Sequence, residues 1–170
     1  VTAGSTEWPV EVAVAAAALQ GESKVLDNGN VPAGYDLAEV NGTYGVYTGV
    51  AKIGTAYYET LKAAVAAAQA GETITLIDNV EATEVILLGK SLTINGNGYK
   101  VTSNATRVFR ATTSNTEITL NDVNMVNTAV RVGTNDIRGI SVDDVQNVKL
   151  TLNNCSVDFT DASACDWSYA

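Results

Sequence analysis

Leu92-Thr93-Ile94-Asn95 recurs as Ile118-Thr119-Leu120-Asn121 and again as Leu150-Thr151-Leu152-Asn153. The first interval is 26 residues and the second is 32. Each copy reads apolar-Thr-apolar-Asn. The last two also run on alike, with Asp122-Val123-Asn124-Met125 beside Asn154-Cys155-Ser156-Val157. Residues two apart on a strand point to the same side. The paired Leu and Ile therefore face one way. The Thr between them faces the other, where a β-branched side chain suits an exposed strand position. Asn ends the strand, because its amide bonds nearby backbone groups and it tolerates turn dihedrals. Self-similarity at this spacing, in strand-type residues, is the signature of stacked coils. Stacking sets the Asn of each coil beside the next, so Asn95, Asn121 and Asn153 read as a structural ladder rather than as a ligand set.

Working outward from that phrase, short apolar runs predict strands at 74–77, 85–88, 91–94, 99–102, 108–111, 117–120, 123–126, 130–132, 140–142, 148–152 and 155–159. Asn, Asp, Gly and Ser fill the turns, and the spacing leaves no room for helices between the strands. One helix is predicted ahead of them, over 60–70. Thr60 caps it, Leu61, Ala64, Val65 and Ala68 form one apolar stripe, and Gly71 supplies the left-handed residue that ends it. Upstream, Asn41-Gly42 marks a tight hairpin and Gly54-Thr55 a second one. Residues 9–20 mix strand-like alternation with an Ala-rich run. Gly21-Glu22-Ser23 after that run matches Gly71-Glu72-Thr73 after the later helix, which favours helix there too. The chain divides into a small hairpin-containing module or linker at 1–58 and a stack of coils at 59–170.

The 170 residues are 46% hydrophobic but only 6% aromatic, so much of the core is built from small side chains. Nineteen acidic residues against ten basic ones give a formal charge of −9. That balance argues against nucleic acid and anionic membranes as partners, since both need a basic face. No apolar run is long enough to span a bilayer; residues 10–19 are too few and carry Glu11. Histidine is absent, which removes the commonest general base and metal ligand. The chain opens on Val1 and shows no leader, so it reads as a mature or excised piece. Cys155 and Cys165 are too few for a disulfide framework, and their pairing is left open. Cys155 aligns with Val123 and reads as a small buried hydrophobe.

Thr60-Leu61-Lys62-Ala63-Ala64-Val65, followed by Ala68-Gln69-Ala70-Gly71-Glu72-Thr73-Ile74-Thr75-Leu76, resembles the entry to right-handed parallel β-helix domains of the pectin-lyase-like superfamily. Ser91-Leu92-Thr93-Ile94-Asn95-Gly96-Asn97-Gly98-Tyr99 resembles the first full coil of that family. Pro32-Ala33-Gly34-Tyr35 and Asn41-Gly42-Thr43-Tyr44 resemble linker modules of large repetitive surface proteins of gut-type anaerobic bacteria. The resemblance covers residues 32–160. It implies a mainly β fold: a right-handed parallel β-helix with an N-terminal amphipathic capping helix, preceded by a small mixed α/β segment with β-hairpins. It also implies an extracellular or cell-surface location.

Polysaccharide lyases of this fold use Arg or Lys as base and acidic residues to bind Ca²⁺. Arg110 and Arg131 each follow an apolar pair, Val108-Phe109 and Ala129-Val130, and are expected one above the other on successive coils. Long basic side chains covering a sheet face and paired with local carboxylates are the stronger reading of them. Tyr57 and Tyr58 belong to a tyrosine-rich meander that reads as packing first and as a carbohydrate platform second. Arg110, Arg131, Tyr57 and Tyr58 are thus the candidate carbohydrate contacts. No catalytic residue, metal site or cofactor is assigned. The expected function is a non-enzymatic structural or adhesive module of a bacterial surface protein; the alternative is a carbohydrate-active β-helix enzyme or its sugar-binding relative. Residues 164–170 look like the start of a further coil rather than a cap. That end of the stack is expected to continue or to pair head-to-tail with another copy.

Overall fold

The computed structural model describes residues 2–3, 6–7, 35–40, 43–130 and 136–160. The predicted helix at 9–20, the Asn41-Gly42 turn, Arg131, Cys165 and the final residues 164–170 lie outside them. The fold is mainly β, with one short helix among the described residues. Three antiparallel pairs belong to the first third of the chain. They are β1 (Thr2–Ala3) with β2 (Thr6–Glu7), β3 (Tyr35–Val40) with β4 (Thr43–Thr48), and β5 (Ala51–Ile53) with β6 (Ala56–Tyr58).

Helix α1 (Leu61–Ala67) follows, and it is shorter than the sequence predicts. The Thr60 hydroxyl accepts from Ala63 N–H at 3.1 Å and so caps the first turn. Ala68 leaves the helix with ψ at 139°, so the helix ends at Ala67 and Gly71 does not terminate it. Gly71 does take a positive φ, 86°, in the turn that hands its N–H to the Ser91 carbonyl. The Lys90 ammonium donates to the carbonyls of Ala66 and Ala68, at 3.1 and 2.7 Å, and closes the C-terminal end. Leu61, Ala64, Val65 and Ala68 are all buried, against the first strands of the stack.

Eleven strands come next: β7 (Thr73–Leu76), β8 (Val80–Ala82), β9 (Ile86–Leu88), β10 (Leu92–Asn95), β11 (Lys100–Ser103), β12 (Arg107–Ala111), β13 (Glu117–Asn121), β14 (Asn124–Asn127), β15 (Arg138–Val142), β16 (Lys149–Asn153) and β17 (Ser156–Phe159). The chain deals them to three sheets in rotation. The first sheet takes β7, β10, β13 and β16; the second takes β8, β11, β14 and β17; the third takes β9, β12 and β15. Pairing among these strands is parallel throughout. The β5–β6 hairpin joins the first sheet antiparallel to β7, on its outer edge.

Register turns the sequence pattern into apolar columns. Ile74, Ile94, Leu120 and Leu152 align in the first sheet, as do Leu92, Ile118 and Leu150. Val80, Val101, Met125 and Val157 align in the second, and Ile86, Phe109 and Ile140 in the third. Side chains of these columns in the first rounds are buried, while Leu152 on the last described strand of its sheet is 45% exposed. Thr73, Thr93, Thr119 and Thr151 form the intervening column, on the opposite face of the first sheet.

The unequal intervals of the repeat have a local cause. The connection from second to third sheet is 104–106 in one round and 128–137 in the next. Buried Asn127 ties down the longer one. Its amide donates to the carbonyls of Ala105 and Arg138, at 3.1 and 3.0 Å, and its Oδ1 accepts from Ala129 N–H at 2.9 Å. Val130, predicted in a strand, lies in this connection and is exposed.

Candidate functional site

Two polar constellations run across successive rounds. The first lies at the corner between the first and second sheets. Asn121 Nδ2 donates to Asn95 Oδ1 at 2.8 Å, and Asn153 Nδ2 donates to Asn121 Oδ1 at 2.8 Å. A second rung stands beside it, where Asn154 donates to Asp122 Oδ1 at 2.6 Å, and a third where Ser156 Oγ donates to Asn124 Oδ1 at 3.1 Å. Asp122 and Asn154 both adopt left-handed φ, 53° and 51°. Asp and Asn take that conformation with least penalty among residues other than Gly. Another ladder serves the corner before the first sheet, where Asn147 and Asn115, again left-handed, join at 3.1 Å. A shallow trough of about 340 Å³ borders the first corner, with Asn97, Asp122, Asn154 and Cys155 on its walls. The Cys155 thiol is free, half-buried, and 3.4 Å from the Leu120 carbonyl.

The second constellation covers the third sheet. Arg107 of β12 stands in register with Arg138 of β15, and Arg110 with Ser141. The residue in register with Arg110 in the next round is Ser141, and Arg131, expected beside Arg110, lies outside the described residues. Asp143 serves both stacked arginines: Arg138 Nη1 donates to Oδ1 at 2.6 Å, and Arg107 Nε lies 3.3 Å from Oδ2. Arg138 Nη2 also reaches Asp136 at 2.9 Å. Arg110 Nη2 meets Asp144 at 3.1 Å, but Asp144 is 89% exposed.

Electrostatics follow from this crowding. Burial pushes the Asp143 carboxyl up, but the Ser141 hydroxyl, Arg138 and Arg107 together outweigh it and hold its pKa below the usual aspartate value. The buried Ser141 hydroxyl lies close enough to act on that carboxylate, although the pair falls outside strict hydrogen-bond geometry. Arg138 is raised, first by its hydrogen bond to Asp136; burial opposes this, and the hydrogen bond and charge of Asp143 add to the rise.

The aromatic candidates sit elsewhere. The Tyr57 ring stacks on Tyr47, centroids 4.9 Å apart and planes 9° from parallel, with Lys52 Nζ 5.8 Å from its centroid. Tyr58 packs against the core. Tyr57 and Tyr58 belong to β6 at the edge of the first sheet and Arg110 to the third sheet, so the structure does not gather them into one site. Sequence reading meets Arg107, Arg138 and Asp143 only as part of a local density of Arg and Asp and does not bring them together as a cluster. Among the described residues no three His, Cys, Asp or Glu side chains gather as a metal-holding group, and no helix is long and apolar enough to cross a membrane. Comparison with protein-family models, curated proteins and solved structures finds no match to this chain.

Proposed function

We propose that residues 59–170 form a right-handed parallel β-helix of the pectin-lyase-like kind and act as a non-enzymatic structural or adhesive module of an extracellular bacterial surface protein. The rotation of the chain through three parallel sheets supports the fold half of this reading. The observation that carries the functional half is the use made of the third-sheet arginines. Arg107, Arg110 and Arg138 each pair with an aspartate of the same chain. A polyanionic sugar would have to displace those carboxylates, whereas a lyase needs its basic groups turned to the substrate. The side-chain ladders run along the stack and stiffen it, which suits a spacer or display element. Partners on this reading are surface polysaccharide or further copies joined head-to-tail.

The test is incubation with polygalacturonate and alginate, with and without Ca²⁺, while following the ultraviolet absorbance of unsaturated products. No product is expected. Product formation that disappears in an Arg107→Ala, Arg110→Ala double variant overturns the structural reading in favour of a carbohydrate-active enzyme.

A further inference from the structure

Two like charges share a rung of the third sheet. Arg107 and Arg138 are register neighbours on β12 and β15, and adjacent strands lie only about 4.8 Å apart. Like charges directly opposite each other destabilise a sheet. Among the described residues, the charged groups facing this rung are few. Arg107 and Arg110 come from β12, Arg138 from β15, and Asp136, Asp143 and Asp144 from its flanks. Among the described residues Asp136 pairs with Arg138, and Asp144 with Arg110. Among the described residues, Asp143 is the carboxylate that contacts arginines of both rounds.

We propose that Asp143 is an acid-release latch between two rounds of the stack. Ionised, it ties β15 to β12 through Arg138 and Arg107. Protonated, it no longer offsets their repulsion, and the segment 136–144 lifts from the third sheet while the first sheet stays paired. The direction with pH follows from the same contacts. The folded-state pKa of Asp143 lies below its unfolded value, so its contribution is complete above the ordinary aspartate range, about 3.9. It is lost as pH falls through the lowered folded value. The latch therefore stays shut through neutral and mildly acid conditions and opens in strong acid.

Hydrogen exchange tests this, with the amides of β15 read against those of β13 in the same chain and corrected for intrinsic rates. Protection of β15 should fall several-fold relative to β13 as pH drops from the ordinary aspartate range into strong acid. In Asp143→Asn, β15 should be weakly protected at neutral pH and indifferent to acid. Adding Arg107→Gln to that variant should restore protection, because it removes one of the two like charges. Should Asp143→Asn fail to fold, Arg107→Gln alone serves: with no repulsion to release, its β15 protection should lose the acid dependence. Wild-type protection of β15 in Asp143→Asn, no restoration by Arg107→Gln, or an unchanged acid response in the single Arg107→Gln variant overturns the proposal.

Discussion

Asn121 donates its amide to Asn95 and accepts from Asn153, each at 2.8 Å, so one side chain is both donor and acceptor in the ladder. Asn95 and Asn153 have one ladder neighbour each among the described residues. Replacing Asn121 by Ala removes both bonds and leaves two amides partly unmatched. A loss of about 1–3 kcal/mol is expected. Asn153→Ala, at an exposed position, should cost less. Thermal unfolding of the two variants checks the order, and no loss in either variant would mean the ladder bonds add nothing to stability.

Gly96 sits where the chain folds over the next round. A Cβ there would stand 2.3 Å from the Asp122 carbonyl oxygen and 2.8 Å from the Val123 Cα, both backbone atoms that cannot swing aside. Gly98, two residues on, has φ of 80° and open space around it. Gly96→Ala should therefore cost about 3 kcal/mol, the upper part of the usual overpacking range. Gly98→Ala should cost only the left-handed penalty, about 1–2 kcal/mol. Denaturant midpoints at constant slope distinguish them.

The tripled phrase made much of the first sheet readable, because Leu92, Ile118 and Leu150 align residue for residue with no insertion inside the strand. The corner after it was harder. Asn95 is five residues before Lys100, but Asn121 is three before Asn124, so the earlier corner holds two more residues than the later one. Strand β8 escaped the sequence pattern because Val80-Glu81-Ala82 has only one β-branched residue; its pairing with Val101–Ser103 makes it a strand. The helix end was misplaced because Ala68 and Ala70 favour helix intrinsically, whereas the contacts of Lys90, twenty-two residues beyond Ala68, form only on folding. The arginine cluster depended on where the longer interval placed its extra residues. They fall at 128–137, which shifts the register so that Arg138 meets Arg107 and Ser141 meets Arg110. No periodicity in the chain states that position.

Leu120 and Leu152 occupy one column in successive rounds but differ in surroundings. Leu120 is fully buried and Leu152 is 45% exposed. Leu120→Ala should cost about 2–5 kcal/mol, as the cavity it leaves lies between packed rounds. Leu152→Ala should cost clearly less, in proportion to the smaller area it removes from contact. Equilibrium unfolding measures both. A Leu152 variant as damaged as the Leu120 variant would show that the last described round is packed as tightly as the others in solution.

Helix α1 has seven residues, too short to persist by itself in water. Its apolar stripe anchors it to the stack, and two polar contacts hold its ends. Thr60 satisfies the Ala63 N–H at the start, and Lys90 satisfies the Ala66 and Ala68 carbonyls at the finish. Thr60→Ala should destabilise by about 1 kcal/mol, the usual cost of losing such a cap. Lys90→Met keeps the length of the alkyl stem but removes the charged donor to the Ala66 and Ala68 carbonyls, for a loss of about 1–2 kcal/mol. The contacts are at opposite ends of the helix and share no partner, so the double variant should equal the sum to within about 0.5 kcal/mol. Hydrogen exchange at 61–67 should rise in each variant. If the double variant loses far more than the sum, the two ends are coupled, and the helix docks as a single cooperative lid rather than as a segment pinned separately at each end.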